Sequence, residues 1–76
     1  NYTNVINFFI GIINRLIQQQ KLSDRDPEIM AAQLCFPISV WLNLYDREPE
    51  REEEIISLIE RHVRQFFEVY RKNNGE

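Results

Sequence analysis

Four kinds of side chain in this sequence could do chemistry: one histidine, one cysteine, a run of carboxylates and a few aromatic rings on apolar ground. A di-iron bundle site wants Glu-x-x-His, but Ile59 stands where the glutamate before His62 is required. A zinc site needs more His or Cys than the chain supplies. His62 is therefore expected as a polar residue at the edge of an interface rather than as a ligand. Cys35 has no basic neighbour in sequence to stabilise a thiolate and reads as a small buried hydrophobe. The carboxylates of "EREEE" (50–54) sit where a helix would begin, and the helix dipole accounts for them without catalysis. No nucleophile elbow, glycine-rich phosphate loop or metal-spaced cluster occurs. No catalytic residue, metal or cofactor is expected, and the chain does not read as an enzyme. Phe8, Phe9 and Trp41 could wall a pocket for a small apolar ligand; ordinary core packing is the competing reading.

The frame for these residues is small. Seventy-six residues make one domain at most, and a domain of this size buries only about 60% of the surface its unfolded chain exposes. Hydrophobic residues at 43% and charged residues at 28% exclude a disordered chain. A net charge of −3 argues against these residues gripping a phosphate backbone. A lone cysteine forms no intrachain disulfide and is in keeping with a reducing, cytoplasmic setting. The apolar run from Ile29 to Tyr45 is short for a bilayer and is broken by Gln33, Pro37, Ser39 and Asn43, so no membrane span is expected. The start lacks the basic region and cleavage site of a signal peptide. The triplet Asn1-Tyr2-Thr3 fits a glycosylation sequon with no other secretory sign beside it. With no initial Met and a helical pattern almost from the first residue, the sequence reads as a fragment of a longer chain.

Two Asp/Pro-containing breaks, "KLSDRDP" (21–27) and "DREP" (46–49), divide it into three helices of about 3–20, 27–45 and 50–72. In the first, Asn4, Asn7, Gly11, Asn14, Arg15 and Gln18 form one polar stripe, and Val5, Ile6, Phe8, Phe9, Ile12, Ile13, Leu16 and Ile17 fill the rest. The second starts with Asp26 as N-cap, Pro27 at the first helical position and Glu28 at the positive end of the dipole. Pro37, inside it, takes the donor from the Gln33 carbonyl and should bend it. The third carries a solvated ladder of Glu60, Arg64, Glu68 and Lys72. Its apolar residues fall into two rows: Ile56, Ile59, Val63, Phe67 and Tyr70, and Leu58, His62, Phe66 and Val69. "NNGE" reads as a fraying end.

Three antiparallel helices can each bury one arc, which leaves the second side of the middle helix uncovered. A large exposed apolar patch marks an interaction site. The expected solution is all-α: a three-helix antiparallel unit whose last two helices pair with a second copy as an intersubunit four-helix bundle. The homodimer interface is expected at Phe36, Ser39, Val40 and Asn43 of the second helix and Leu58, His62, Phe66 and Val69 of the third. The first helix would stand outside this bundle.

The order of parts resembles the C-terminal region of TetR-type transcriptional regulators. An apolar helix and polar turn lead to Asp26-Pro27-Glu28. Then come an Ala-containing apolar helix (Ala31, Ala32, Leu34), an acidic-proline break and an amphipathic helix ending "RQFFEVYRK". The likeness covers residues 5 to 70. It departs from many members in having Gln20-Lys21-Leu22, without glycine, in the turn before Asp-Pro. The resemblance implies a ligand-sensing and dimerisation part of a repressor, with the preceding helices walling a pocket. Operator DNA would be bound through an N-terminal helix-turn-helix domain not among these residues. A helical protein–protein interaction module without ligand or DNA is the alternative.

Overall fold

The computed structural model describes the backbone of residues 2–73 and the side chains of residues 3–73. Asn1 of the sequon and residues 74–76 of "NNGE" lie outside the described residues. Three helices follow one another: α1 (Tyr2–Gln18), α2 (Pro27–Arg47) and α3 (Glu52–Tyr70), with a 3-10 turn, Pro49–Arg51, leading into α3.

The termini of the helices follow from local chemistry. α1 ends two residues earlier than its periodicity predicts, because Gln20 adopts a left-handed backbone with φ of 61°. Its N–H donates to the Ile17 carbonyl at 2.9 Å and that of Lys21 to the Leu16 carbonyl at 2.9 Å, the paired bonds of a Schellman cap. At the start of α2, Asp26 Oδ1 accepts from the N–H groups of Glu28 at 3.0 Å and Ile29 at 3.3 Å, with Pro27 in the first turn. Pro37 sits within an unbroken α2. α2 runs two residues further than expected, to Arg47, and the Glu48 N–H still reaches the Leu44 carbonyl at 2.8 Å. Arg51, at the entry to α3, ion-pairs with Glu48 at 3.4 Å and with Glu54.

The core is built from one line of each helix and one loop residue. Ile6 and Ile13 of α1, Met30, Ala31, Leu34 and Cys35 of α2, Phe66 of α3 and Leu22 of the first connection form a single buried cluster. α1 packs on α2 and α2 on α3, while among the described residues no Cα of α1 lies within 8 Å of one in α3. The helices thus lie side by side with α2 in the middle, and the Cα atoms span 44 × 26 × 14 Å. A body this thin has two broad faces and little depth, so its apolar side chains cannot all be covered from within. α2 and α3 run antiparallel, as the Tyr45 hydroxyl to Glu52 bond at one end and the Tyr70 hydroxyl to Gln33 bond at the other require.

A backbone clasp ties α1's exit to α3's end. Residues 21–23 and 70–72 run antiparallel. The Ser23 N–H donates to the Tyr70 carbonyl at 2.7 Å, and the Lys72 N–H donates to the Lys21 carbonyl at 3.1 Å. The clasp closes over Leu22, which is almost fully buried.

Candidate functional site

The middle helix places its core residues on one half of its circumference. The other half carries Ile29, Gln33, Phe36, Val40, Asn43 and Arg47, all of them exposed. At 100° per residue these six positions fall within about 80° of arc. Phe36 at 43% and Val40 at 64% exposure are large apolar side chains that reach the surface. Ser39 is also exposed, at the edge of the same side, and its hydroxyl donates to the Cys35 carbonyl at 3.1 Å, one turn back. The four α2 residues expected at an interface therefore do share one open surface.

On α3 the expected row divides. Leu58 is half-buried and Val69, at 66% exposure, stands open on the shoulder facing α2. Phe66 does not join them. It is 5% exposed and lies in the chain's own core, its ring tilted against Tyr70 with centroids 4.9 Å apart and edge-on to Phe67 at 5.4 Å. The inward line of α3 is Ile55, Ile59, His62, Phe66 and Tyr70, at steps of four and three, and it passes between the two rows read from the sequence. That line makes Phe66 a packing residue instead of an interface residue. Ile56 and Phe67 fall on the shoulder away from Leu58 and Val69 and are exposed.

His62 sits between the helices. Its Nε2 lies 2.9 Å from the Leu34 carbonyl oxygen, which can only accept, so Nε2 carries the proton and donates. Its ring stands edge-on to Trp41 with centroids 5.5 Å apart. The histidine is thus held by its own chain, and only the rest of its ring lines the α2–α3 groove. That groove is a cavity of about 410 Å³, open to solvent, with Gln33, Trp41, Leu58, Gln65 and Val69 on its walls.

The three aromatics expected to wall one pocket do not share one. Trp41 belongs to the α2–α3 groove, whereas Phe8 lines a separate open cavity of about 490 Å³ on α1 with Asn7, Gly11, Ile12 and Arg15. Phe9 is half-buried against the core, edge-on to Phe8 at 5.8 Å. The cause is the layout: α1 and α3 flank α2 on different sides, so a ring on the outside of α1 cannot reach one on the α3 side of α2. Val5, Phe8 and Ile12 give α1 an uncovered apolar strip of its own.

Cys35 is buried, and burial pushes its thiol above the ordinary value, which leaves it a protonated packing residue. Among the described residues no group of three or more His, Cys, Asp or Glu could hold a metal ion, and no helix is long and apolar enough to cross a membrane. The sequence carries no sign of the clasp or of the Tyr70–Gln33 bond: periodicity puts Tyr70 in an apolar row, and no local signal marks residues 21–23 and 70–72 as partners. Comparison with protein-family models, with curated proteins and with solved structures gave no match to this chain.

Proposed function

We propose that this chain is the dimerisation part of a TetR-like transcriptional regulator acting as a repressor. In this reading α2 and α3 pair with those of a second copy, and α1 belongs to the ligand-sensing side. The observation that carries it is the open face of α2, where Phe36 and Val40 are exposed to solvent beside Leu58 and Val69 of α3. A helix pair with one apolar side facing its own core and another facing water is what half of an intersubunit four-helix bundle looks like before assembly. The order of helices and the Asp26-Pro27-Glu28 start supply the family part of the reading. With a net charge of −3, the chain itself is poorly suited to grip DNA, and operator binding is assigned to a helix-turn-helix domain outside these residues. An apolar ligand would act through the α1 cavity, where Phe8 and Ile12 offer an apolar wall. By linkage, ligand and operator would oppose one another through the arrangement of the two subunits.

The test is sedimentation equilibrium across concentrations. The wild-type chain is expected to be dimeric at about ten micromolar, an ordinary affinity scale for protein association. Phe36→Glu and Val40→Glu are expected to be folded monomers there, since a buried unpaired carboxylate at an interface is strongly unfavourable. A wild-type chain that is folded and monomeric at that concentration would overturn the dimer. A different protein co-purifying in fixed ratio would then favour the interaction-module alternative.

A further inference from the structure

The open face has an internal symmetry that sets how a second copy would sit on it. The six outward positions of α2, residues 29, 33, 36, 40, 43 and 47, are spaced four, three, four, three and four apart, the 3.5-residue repeat of a helix-pairing seam. The series is also a palindrome. Ile29 mirrors Arg47, Gln33 mirrors Asn43 and Phe36 mirrors Val40, each pair centred on residue 38. Apolar thus mirrors apolar at the middle, and amide mirrors amide one turn out. On α3 the residues beside the groove behave alike: Leu58 mirrors Val69 and His62 mirrors Gln65, centred between 63 and 64.

The two centres lie at nearly the same height. Gln33 meets Tyr70 and Tyr45 meets Glu52 across the antiparallel pair, so residue 38 stands level with residue 62. His62 itself contacts both Leu34 and Trp41, which straddle that level. The offset from the α3 centre is about 2 Å of helix rise. A single two-fold axis lying in the face and perpendicular to the helices can therefore pass through both centres.

Resting on the dimer reading above, we infer that the second copy docks face to face about this axis, α2 antiparallel to α2 and α3 antiparallel to α3. Phe36 packs on Val40 of the other copy, and Leu58 packs on Val69. Gln33 pairs with Asn43: its Oε1 already accepts from the Tyr70 hydroxyl, which leaves its NH2 to donate across the interface. Charge agrees with the antiparallel sense. α2 carries Glu28 in its first turn and Arg47 in its last, so antiparallel packing sets each arginine beside the opposite glutamate. Parallel packing would set arginine against arginine. Glu48, next along, is held by Arg51 of its own chain. The 44 × 26 Å outline of the slab offers more than the about 800 Å² per partner that a stable interface buries. The paired amides fix the register, since a slip of one heptad either way separates them and sets Gln33 against Phe36 or Asn43 against Val40.

Site-directed disulfide trapping tests this. In a Cys35→Ala background, Gln33→Cys and Asn43→Cys are made as separate chains of different tag length, and Phe36→Cys and Val40→Cys likewise. Sedimentation is run on the same samples. The expected result is dimers in which mixing Gln33→Cys with Asn43→Cys, and Phe36→Cys with Val40→Cys, gives the mixed disulfide on mild oxidation. Gln33→Cys or Asn43→Cys alone should give little cross-linking. As a check without cysteines, Arg47→Glu should weaken association about two- to fivefold, and adding Glu28→Arg should restore it. Dimers in which Gln33→Cys cross-links to itself, or in which neither mixed pair cross-links, overturn the register and leave the dimer reading standing. Monomers throughout, wild type included, overturn both.

Discussion

Gln20 does a job that glycine does in most helix endings. With φ at 61° it holds a left-handed backbone that costs a residue with a Cβ about 1 kcal/mol or more. The Schellman bonds to Leu16 and Ile17 hold it there, and they are main-chain bonds that glycine would keep. Gln20→Gly is therefore expected to stabilise the fold by about 1 kcal/mol, read as a higher urea midpoint with an unchanged slope. A lower midpoint would mean that the glutamine side chain contributes more than its backbone costs. The contrast with Asp26 shows which residues are legible in a sequence. Asp-Pro-Glu announces a helix start because the cap is a side-chain property, and the structure has Asp26 capping as its type dictates. A left-handed Gln20 is a demand of the turn, made against the preference of the residue, and no pattern marks it. His62 lies between these cases: its row on α3 suggests the edge of an interface between copies, whereas its bond to a backbone carbonyl of its own chain depends on a neighbour 28 positions away.

The helices were legible because their apolar spacing is long and regular, and their ends moved by about two residues where caps decided. The face that each helix turns inward was less so. α3 has apolar residues over a wide arc, so periodicity alone allowed two rows, and only packing on α2 selects the line through Ile55 and Phe66 between them. The clasp was illegible for another reason: it is a backbone pairing between 21–23 and 70–72, and backbone groups carry no sequence. It is also the direct tie between α1's exit and α3, whose helices do not otherwise approach. Lys72→Pro tests its weight. The preceding Arg71 is already extended, with φ −60° and ψ 135°, as a residue before proline prefers, so the change chiefly removes the N–H donated to Lys21. A loss of about 0.5–1.5 kcal/mol is expected. Faster hydrogen exchange should follow at the Ser23 amide, and protection at the centre of α2 should drop by no more than the global loss. Unchanged exchange at Ser23 would show that the clasp does not act as a unit.

As a whole, the chain is thin for its length. Side-by-side helices spanning 14 Å in their short dimension leave Phe36, Val40 and Val69 on the surface, while the buried cluster draws only Phe66 from α3. A chain of 76 residues has a small margin of stability to begin with, and this layout narrows it. Stability should therefore be shared between folding and assembly, with a consequence that can be measured. If the dimer and the fold melt together, the midpoint must rise with protein concentration, because mass action favours the associated state. A tenfold increase is worth about 1.4 kcal/mol per dimer, or about half of that per chain, which for a domain of this size is about 3–6 °C in Tm. Val40→Glu should abolish that dependence. Its Tm should be the same at every concentration and should lie below the wild-type value even at the lowest, since Val40 makes no part of the subunit core. Phe66→Ala should behave in the opposite way. Removing a ring from the core costs about 3–5 kcal/mol whatever the concentration, so it should lower Tm throughout while the concentration dependence persists in whatever remains folded. A wild-type Tm that does not move with concentration would mean that the slab is stable alone and that the open face of α2 is not what holds it together.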